Sequence, residues 1–230
     1  MKILLVSNLF APDTLAGASL YTDMAQYFQD KGHEVRVIST FPYYPTWKLR
    51  PEDQGIKERE EFFENILTKR VSMYVPQNVS GMGRILSDFS FFISLIMRGR
   101  WKGWKPDVIL TAEPMLSQCL VQRFIYPNVP KFIIVQDFVV DASLELGILR
   151  FPGLSQILRF IERWALRSAR KLSSISPEMV DKLRIIVGND REIEYIPNWI
   201  HGSFAQLIAS KKQEGKKRKK GLLFYSGNEG

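Results

Sequence analysis

The sequence has few of the residues that form disulfides and most metal sites: its 230 residues include one cysteine and two histidines. A single thiol, Cys119, cannot form an internal disulfide, and this favours a reducing compartment. Cys119 stands among apolar residues. Because free cysteine is usually buried, we interpret it as a small core side chain rather than a nucleophile. We predict no metal site and no bound cofactor.

The sequence also lacks a long hydrophobic run. The longest candidate, residues 89–97, is about half of the ~20 apolar residues that a membrane-spanning helix requires. The apolar stretch at the N-terminus is interrupted by Asn8, Pro12 and Asp13, which argues against a signal peptide. Neither a Gly-x-Gly-x-x-Gly fingerprint nor a P-loop follows this stretch, so dinucleotide binding and P-loop chemistry are poorly supported. We expect a protein of the cytoplasm.

The strongest structural signal lies in the first forty residues. Residues 1–7 read Met-Lys-Ile-Leu-Leu-Val-Ser, an apolar run typical of a strand buried on both faces. A loop at residues 8–19 leads into a helix that ends at Gly32, and Val35 then begins a second buried strand. Such a βαβ unit places the loop at the carboxyl edge of a parallel sheet, where ligands of open α/β sheets bind. The side chains that we expect on the core face of the helix are Leu20, Met24, Tyr27 and Phe28.

Alternating strand and helix patterns continue to Trp199 and predict an α/β fold, a Rossmann-like parallel sheet with helices on both faces. We assign residues 1–205 to this domain, 206–221 to a basic linker, and 222–230 to the first strand and turn of a second domain that is almost entirely missing. The run at 211–220 holds seven basic residues and one acid. We interpret it as a solvated connector in preference to a membrane contact or a nucleic-acid arm, because no stacking aromatics lie near it.

A long helix is predicted from Arg84 to Arg100. We expect its apolar residues, Phe89, Phe92, Ile93 and Ile96, to pack inward, as amphipathic helices usually do. The end of the helix is basic and rich in tryptophan, and it contains Arg98, Arg100, Trp101, Lys102, Trp104 and Lys105. Tryptophan beside lysine and arginine suits a bilayer interface. We therefore predict that this end contacts anionic membranes and that the protein is peripheral to the inner face of the plasma membrane.

Several short motifs follow one another along the chain. They are Phe10-Ala11-Pro12 with Gly17-Ala18, Gly32-His33-Glu34-Val35, Pro42-Tyr43-Tyr44-Pro45, Val135-Gln136-Asp137, Ser176 with Met179, and Ile196-Pro197-Asn198-Trp199. Together they resemble the N-terminal half of a GT-B glycosyltransferase of family 4, of the exopolysaccharide, colanic-acid or O-antigen type. The opening of that family's second domain resembles Tyr225-Ser226-Gly227-Asn228. The chain departs from the family pattern at Ala18, Val140 and His201.

The resemblance implies retaining transfer of a sugar from a nucleotide-diphosphate sugar to a lipid-linked or saccharide acceptor in cell-surface polysaccharide biosynthesis. It also implies that residues 1–205 are the acceptor side and that the second domain supplies most contacts to the donor nucleotide. On this interpretation the chain alone would transfer little sugar. A separately encoded C-terminal domain would be a partner, and nucleic acid would not.

Candidate site residues follow from the resemblance and from their positions at strand ends. We place the donor-phosphate edge at Gly17 and Ala18, and at Gly227, because backbone N–H groups at a helix N-terminus suit an anionic diphosphate. Asp137 is the candidate catalytic residue, and a helix cap is its structural alternative. The acceptor cleft would contain Tyr43, Tyr44, Asp141 and Asn198. Two other hypotheses stay open, a non-catalytic Rossmann-like binding module and a basic membrane-surface adaptor.

Overall fold

Eight strands form one sheet in the computed structural model of the chain, which describes residues 1–13, 16–77, 80–113, 116–138, 140–141 and 152–199. The strands are Lys2–Val6 (β1), Glu34–Thr40 (β2), Glu58–Phe63 (β3), Ile66–Val71 (β4), Val108–Glu113 (β5), Lys131–Val135 (β6), Lys171–Ser174 (β7) and Ile193–Tyr195 (β8). The helices are Ala16–Asp30 (α1), Gly81–Arg98 (α2), Leu116–Ile125 (α3), Pro152–Leu166 (α4) and Pro177–Val187 (α5). Met1–Asn198 form one compact unit. The predicted linker at 206–221 and the strand and turn at 222–230, with Gly227, lie outside the described residues.

The strand order is β3-β4-β2-β1-β5-β6-β7-β8, and every neighbouring pair is parallel except β3 and β4. The predicted parallel α/β sheet is therefore confirmed. β1 lies between β2 and β5. The connection that leaves β1 therefore runs to one side of the sheet, toward β2, and the connection that leaves β5 runs to the other side, toward β6. Such a switch point leaves a crevice at the carboxyl edge of the sheet.

The residues of β1 alternate between two cores, one on each face of the sheet. Leu4 and Val6 belong to a core that includes Phe91 of α2 and Ile125 of α3. The alternate residues of β1 belong to a second core with Tyr21 of α1. A strand buried on both faces requires the continuous apolar run that begins the sequence.

The hairpin of β3 and β4 forms one edge of the sheet. Its turn residues Glu64 and Asn65 both have positive φ, 44° and 68°. This backbone matches the type I′ turn that favours tight hairpins. The edge strand β3 reads Glu-Arg-Glu-Glu-Phe-Phe, and its charged side chains discourage pairing with other sheets.

The prediction for the face of α1 is wrong at Tyr27. Tyr21, Met24 and Ala25 are buried, whereas the ring of Tyr27 is exposed beneath the ammonium of Lys31 at 5.4 Å. Tyr27 lies off the buried face because that face is set by Tyr21 and Ala25, which lie one helical turn apart.

The prediction that Trp101 and Trp104 lie on a membrane surface is also wrong. They are only 8% and 6% exposed, and their rings meet edge to face at 5.5 Å between centroids. Gly103, with φ of 75°, reverses the chain so that both rings point into the core. The Trp104 indole donates to Glu34 at 2.6 Å, and the Arg36 guanidinium lies 4.5 Å from the centre of its ring. Of the basic residues beside the pair in sequence, Lys102 and Lys105 face solvent.

The basic residues of that predicted surface differ in their exposure and hydrogen bonding. Arg100 donates to the carbonyls of Ile125 and Phe124 at 2.6 and 2.5 Å, so it closes the end of α3. Lys102 and Lys105 are exposed. Arg98 is half-buried at the end of α2.

Cys119 is fully buried in a core formed by β6, β7 and α5, as predicted for a small apolar side chain. None of the helices in the described ranges is both long and apolar enough to cross a membrane.

Candidate functional site

A buried polar network lies where the chain leaves β1. The Asn8 side-chain oxygen accepts from Gln118 Nε2 at 2.8 Å, and its amide nitrogen donates to the Tyr43 hydroxyl at 3.5 Å. The Asn8 carbonyl accepts from Thr40 Oγ1 at 2.7 Å. All four residues are buried. One asparagine thus joins the loop after β1, the loop after β2 and the start of α3.

The position of α3, which brings in Gln118, is set by Asp88 of α2. The Ser117 backbone N–H donates to the Asp88 carboxylate at 3.1 Å. A carboxylate at a helix N-terminus satisfies N–H groups that the helix leaves unpaired. Burial raises the pKa of Asp88, and the bonds from Ser117 and Leu116 oppose that shift.

Aromatic side chains form the rim beside this network. Tyr43 is buried, whereas Tyr44 and Trp47 are partly exposed. The Trp47 ring lies 5.4 Å from that of Tyr43 and 6.4 Å from that of Tyr44 between centroids. Burial raises the pKa of Tyr43 to about 12, so its hydroxyl stays protonated at neutral pH. Of the predicted acceptor residues, Tyr44 has a partly exposed ring, whereas Tyr43 is buried and contacts Trp47.

Arg70, at the end of β4, is the charged centre of the same edge and is fully buried. Its Nε donates to Glu61 at 2.7 Å, Nη1 donates to the Thr40 carbonyl at 3.2 Å, and Nη2 donates to the Ala11 carbonyl. The guanidinium fork therefore fastens the loops after β1 and β2 to the hairpin. A planar group with fixed donors suits this role better than a lysine would.

Asp13 is buried near Arg70. Burial raises its pKa to about 6, against the opposing charges of Arg70 and Arg50. Within the described part of the chain, its Oδ2 atom has no hydrogen-bond partner. Asp13 therefore changes its charge close to neutral pH.

Asp13→Asn is expected to have a pH-dependent effect on stability. Because the folded-state pKa of about 6 lies above the ordinary value of 3.8, the proton on Asp13 stabilises the fold below that ordinary value, and this stability is lost as pH rises through 6. The substitution should therefore stabilise the protein more at about pH 7.5 than at about pH 3.5, by on the order of 2–3 kcal/mol. Urea unfolding at both pH values measures the difference, and the exposed Asp30→Asn is the control. An effect that is equal at both pH values would contradict the raised pKa of Asp13.

Ala18, which was predicted at the donor-phosphate edge, is fully buried and therefore out of reach of a ligand. The Thr22 hydroxyl donates to the Ala18 carbonyl at 2.8 Å and accepts from the Ala11 N–H at 3.1 Å. Gly17 is partly exposed, and a Cβ there would meet Tyr21 at 3.5 Å, an ordinary contact. Of Gly17 and Ala18, only Gly17 is thus accessible to a ligand.

A second group of predicted residues lies at the carboxyl ends of β6 and β8. The side-chain amides of Gln136 and Asn198 exchange two hydrogen bonds, of 2.9 and 3.0 Å. Asp137 follows Gln136 at the exposed rim, where partial desolvation raises its pKa. The structure therefore places Asp137 and Asn198 at one rim.

Asp141 belongs to an ionic cluster with α4 and α5. Its carboxylate pairs with Arg159 at 2.8 Å and with Lys182 at 2.7 Å. Burial raises the pKa of the neighbouring Glu162 to about 7, and the charge of Asp141 adds to this shift. Asp141, which was predicted in the acceptor cleft, is thus held in ion pairs with two basic side chains.

Sequence reasoning missed Asn8, Gln118, Arg70 and Asp13 as parts of the site. Only the positions of Asn8 and Asp13, in the loop directly after the first buried strand, were available as a signal. Within the described ranges, no group of three or more His, Cys, Asp or Glu side chains is arranged to hold a metal ion.

Comparisons with known proteins agree with this fold. Residues 17–199 match the glycosyl transferase 4-like domain family. The colanic acid biosynthesis glycosyl transferase WcaI of Escherichia coli (strain K12) is 30% identical over 247 residues, which cover 100% of this chain and 59% of WcaI. The chain therefore spans less than two thirds of this relative's length.

Two solved structures share the fold at low identity. Sucrose-phosphate synthase from Thermosynechococcus elongatus is 14% identical with a TM-score of 0.52, over 90% of this chain and 52% of that one. The catalytic domain of Starch Synthase IV from Arabidopsis thaliana, bound to ADP and acarbose, is 13% identical with a TM-score of 0.52, over 88% and 52%. The sheet is the N-terminal half of a GT-B fold. The chain belongs to the glycosyl transferase 4-like family.

Proposed function

We propose that the chain forms the acceptor side of a retaining glycosyltransferase. The enzyme would transfer a sugar from a nucleotide-diphosphate sugar to a lipid-linked or saccharide acceptor in cell-surface polysaccharide biosynthesis. The family match and the similarity to WcaI support the reaction class and its biosynthetic setting. The ADP and acarbose bound to Starch Synthase IV support a nucleotide and a saccharide as the ligands of such a fold.

The observation that carries the proposal is the buried network of Asn8, Tyr43 and Gln118 beside the partly exposed rings of Tyr44 and Trp47. A fully buried polar network fixes the loops that it joins, because each group would lose a hydrogen bond if the loops moved apart. The partly exposed rings of Tyr44 and Trp47 are thereby held at the crevice. Binding sites combine such apolar surfaces with a few fixed polar groups.

The roles of the other residues follow from their positions. The N–H of Gly17 at the start of α1 faces the developing charge of a diphosphate leaving group, which a helix N-terminus stabilises. Asp137 at the rim of β6 accepts a hydrogen bond from a sugar or acceptor hydroxyl. The proposal assigns most contacts to the donor nucleotide to a second domain, which would belong to the same polypeptide or to a separate one.

The test joins this chain to the part of WcaI that it does not cover. We expect this chimera to transfer sugar from one of a panel of UDP-, GDP- and dTDP-sugars to lipid-linked acceptors, with retained anomeric configuration by proton NMR. Tyr43→Phe should lower kcat/KM about tenfold, because the amide of Asn8 loses its hydroxyl partner. Tyr27→Phe, at an exposed tyrosine, is the matched control.

A chimera that folds cooperatively but transfers no sugar would contradict the enzymatic proposal, and an inverted product would contradict retention. Acceptor binding is measured separately on the chain alone. Titration with a lipid-linked saccharide should shift the indole signal of Trp47 in a nitrogen-15 spectrum, assigned by Trp47→Phe. Binding by the chain without transfer by the chimera would favour the non-catalytic binding module.

A further inference from the structure

Helix α2 turns its more apolar side toward solvent. A row of large side chains along one face is exposed, and two of them, Phe89 and Met97, are 61% and 68% exposed. The members of this exposed α2 face are Met82, Leu86, Phe89, Ile93, Ile96 and Met97. Their spacing of three and four residues places them on one side of the helix. The prediction that Phe89, Ile93 and Ile96 pack inward is therefore wrong.

The side of α2 that packs on the sheet is rich in small residues. Its buried members are Gly83, Ser87, Phe91, Ser94 and Leu95. Ser87 donates to the carbonyls of Tyr74 at 2.7 Å and Gly83 at 3.0 Å, and the hydroxyls of Ser94 and Ser72 lie 3.3 Å apart. The inner side is thus fixed by hydrogen bonds as well as by packing. A surface helix normally has the reverse arrangement, with its apolar stripe on the core.

The apolar surface extends from α2 to α3. The rings of Phe92 and Phe124 meet edge to face at 5.8 Å between centroids, and Phe124 is exposed. Arg123 is exposed beside it. An exposed apolar patch that is bordered by charge marks an interaction surface.

The chain segment that carries this surface is basic. Residues 81–105, all of them described, contain a single acid, Asp88, and that carboxylate is occupied by the start of α3. Arg100, Lys102 and Lys105 follow the helix and are exposed. An apolar face with basic residues at its border complements an anionic bilayer, in which such helices lie parallel to the surface.

We propose that the exposed α2 face, with Lys102 and Lys105, docks on an anionic lipid bilayer. The face begins at Met82, close to the candidate site, because the guanidinium of Arg84 lies 6.0 Å from the centre of the Trp47 ring. Docking would bring the aromatic rim near the lipid surface, where a lipid-linked acceptor is held. That last consequence rests on the proposed function, whereas membrane docking does not.

The first test measures co-sedimentation of the full chain with vesicles of phosphatidylcholine, with and without phosphatidylglycerol. Phe89→Ser with Ile93→Ser should lower the partition coefficient on anionic vesicles about tenfold or more, because both apolar anchors are removed. Lys102→Glu with Lys105→Glu should lower it on anionic vesicles only, and added salt should do the same. Ile185→Ser, at an 84% exposed isoleucine of α5, is the matched control and should change nothing.

The second test reports which face enters the lipid. Cys119 is fully buried, so an environment-sensitive dye attached to Met97→Cys labels the α2 face selectively. Its fluorescence should rise and shift to the blue on anionic vesicles, whereas the same dye at Ile185→Cys should not respond. Catalytic assays have no part in these measurements, so membrane docking and the proposed function can fail separately.

Three results would overturn the docking proposal. The first is unchanged sedimentation of the Phe89→Ser, Ile93→Ser variant. The second is binding that is lost only when Lys217, Arg218 and Lys219 are changed to glutamine, which would assign the contact to the basic run. The third is a dimer in solution that the Phe89→Ser, Ile93→Ser change dissociates without affecting vesicle binding, which would make this face a contact between copies.

Discussion

Arg70→Met is expected to lower the free energy of unfolding by about 3–5 kcal/mol, the range found when one partner of a buried ion pair is removed. The guanidinium of Arg70 is fully buried and bonds to Glu61 and to the carbonyls of Thr40 and Ala11. Methionine fills much of the same volume but removes the guanidinium donors from the carbonyls of Thr40 and Ala11, and Glu61 keeps only its weaker bond from Arg59. Urea unfolding followed by circular dichroism measures the change.

A surface arginine provides the control for this experiment. Arg184 pairs with Asp181 at 2.8 Å within α5, and both side chains are largely exposed. Arg184→Met should cost at most about 1 kcal/mol, as exposed ion pairs do. Arg70→Lys should fall between the two, because an ammonium keeps the charge but cannot reproduce the fork. A loss for Arg70→Met no greater than that for Arg184→Met would show that water replaces the guanidinium.

Trp104→Ala is expected to cost about 3–5 kcal/mol, because it removes a large buried ring from a packed core. The substitution breaks the edge-to-face contact with Trp101, the contact with Arg36 and the hydrogen bond to Glu34. Trp104→Phe should cost less, since it keeps most of the apolar volume and loses the indole N–H. Thermal and urea unfolding of the two variants give the comparison.

Trp164→Ala is the matched control for the tryptophan prediction. Trp164 also lies beside an arginine, with the guanidinium of Arg123 4.5 Å from the ring centre, but the residue is exposed. Its removal should cost clearly less than removal of Trp104. If Trp104→Ala left stability unchanged and abolished vesicle binding, the core assignment would fail and the original membrane-surface prediction would be restored.

The sequence predicts the sheet well because the dominant signal is local. Residues 3–6 are apolar without interruption, and only a strand with protein on both faces requires that pattern. The βαβ unit then fixes which loops share the carboxyl edge. Gly32 ends α1 with φ of 82°, as its position after the last helical residues indicates.

The orientation of α2 could not be predicted in the same way. Its sequence contains one stripe of large apolar residues and a second stripe in which Phe91 and Leu95 alternate with small residues. Helical periodicity identifies both stripes but does not say which one packs inward. The structure buries the second stripe, in which Phe91 and Leu95 join the core and Ser87 and Ser94 find hydrogen-bond partners. Of the four residues predicted to pack inward, only Phe92 contacts the core.

The polar network of the candidate site was beyond sequence reasoning for a different reason. Asn8 and Gln118 are 110 residues apart, and neither stands in a distinctive motif. Their meeting depends on α3 being fixed by Asp88, a contact that no local pattern encodes. Tyr43 was found because its proline-bounded loop follows the second strand directly.

The central position of β1 has a consequence for synthesis on the ribosome. This first strand pairs with β5 at a separation of 105 residues, since Ile3 lies opposite Val108. At the usual elongation rate of about 5–20 residues per second, roughly 5–20 s pass between the emergence of the two strands. One hydrogen-bonding edge of the nascent chain stays open for that interval. The loop that bears Asn8 cannot acquire its partner on α3 until the interval has ended, so the crevice is assembled late during translation.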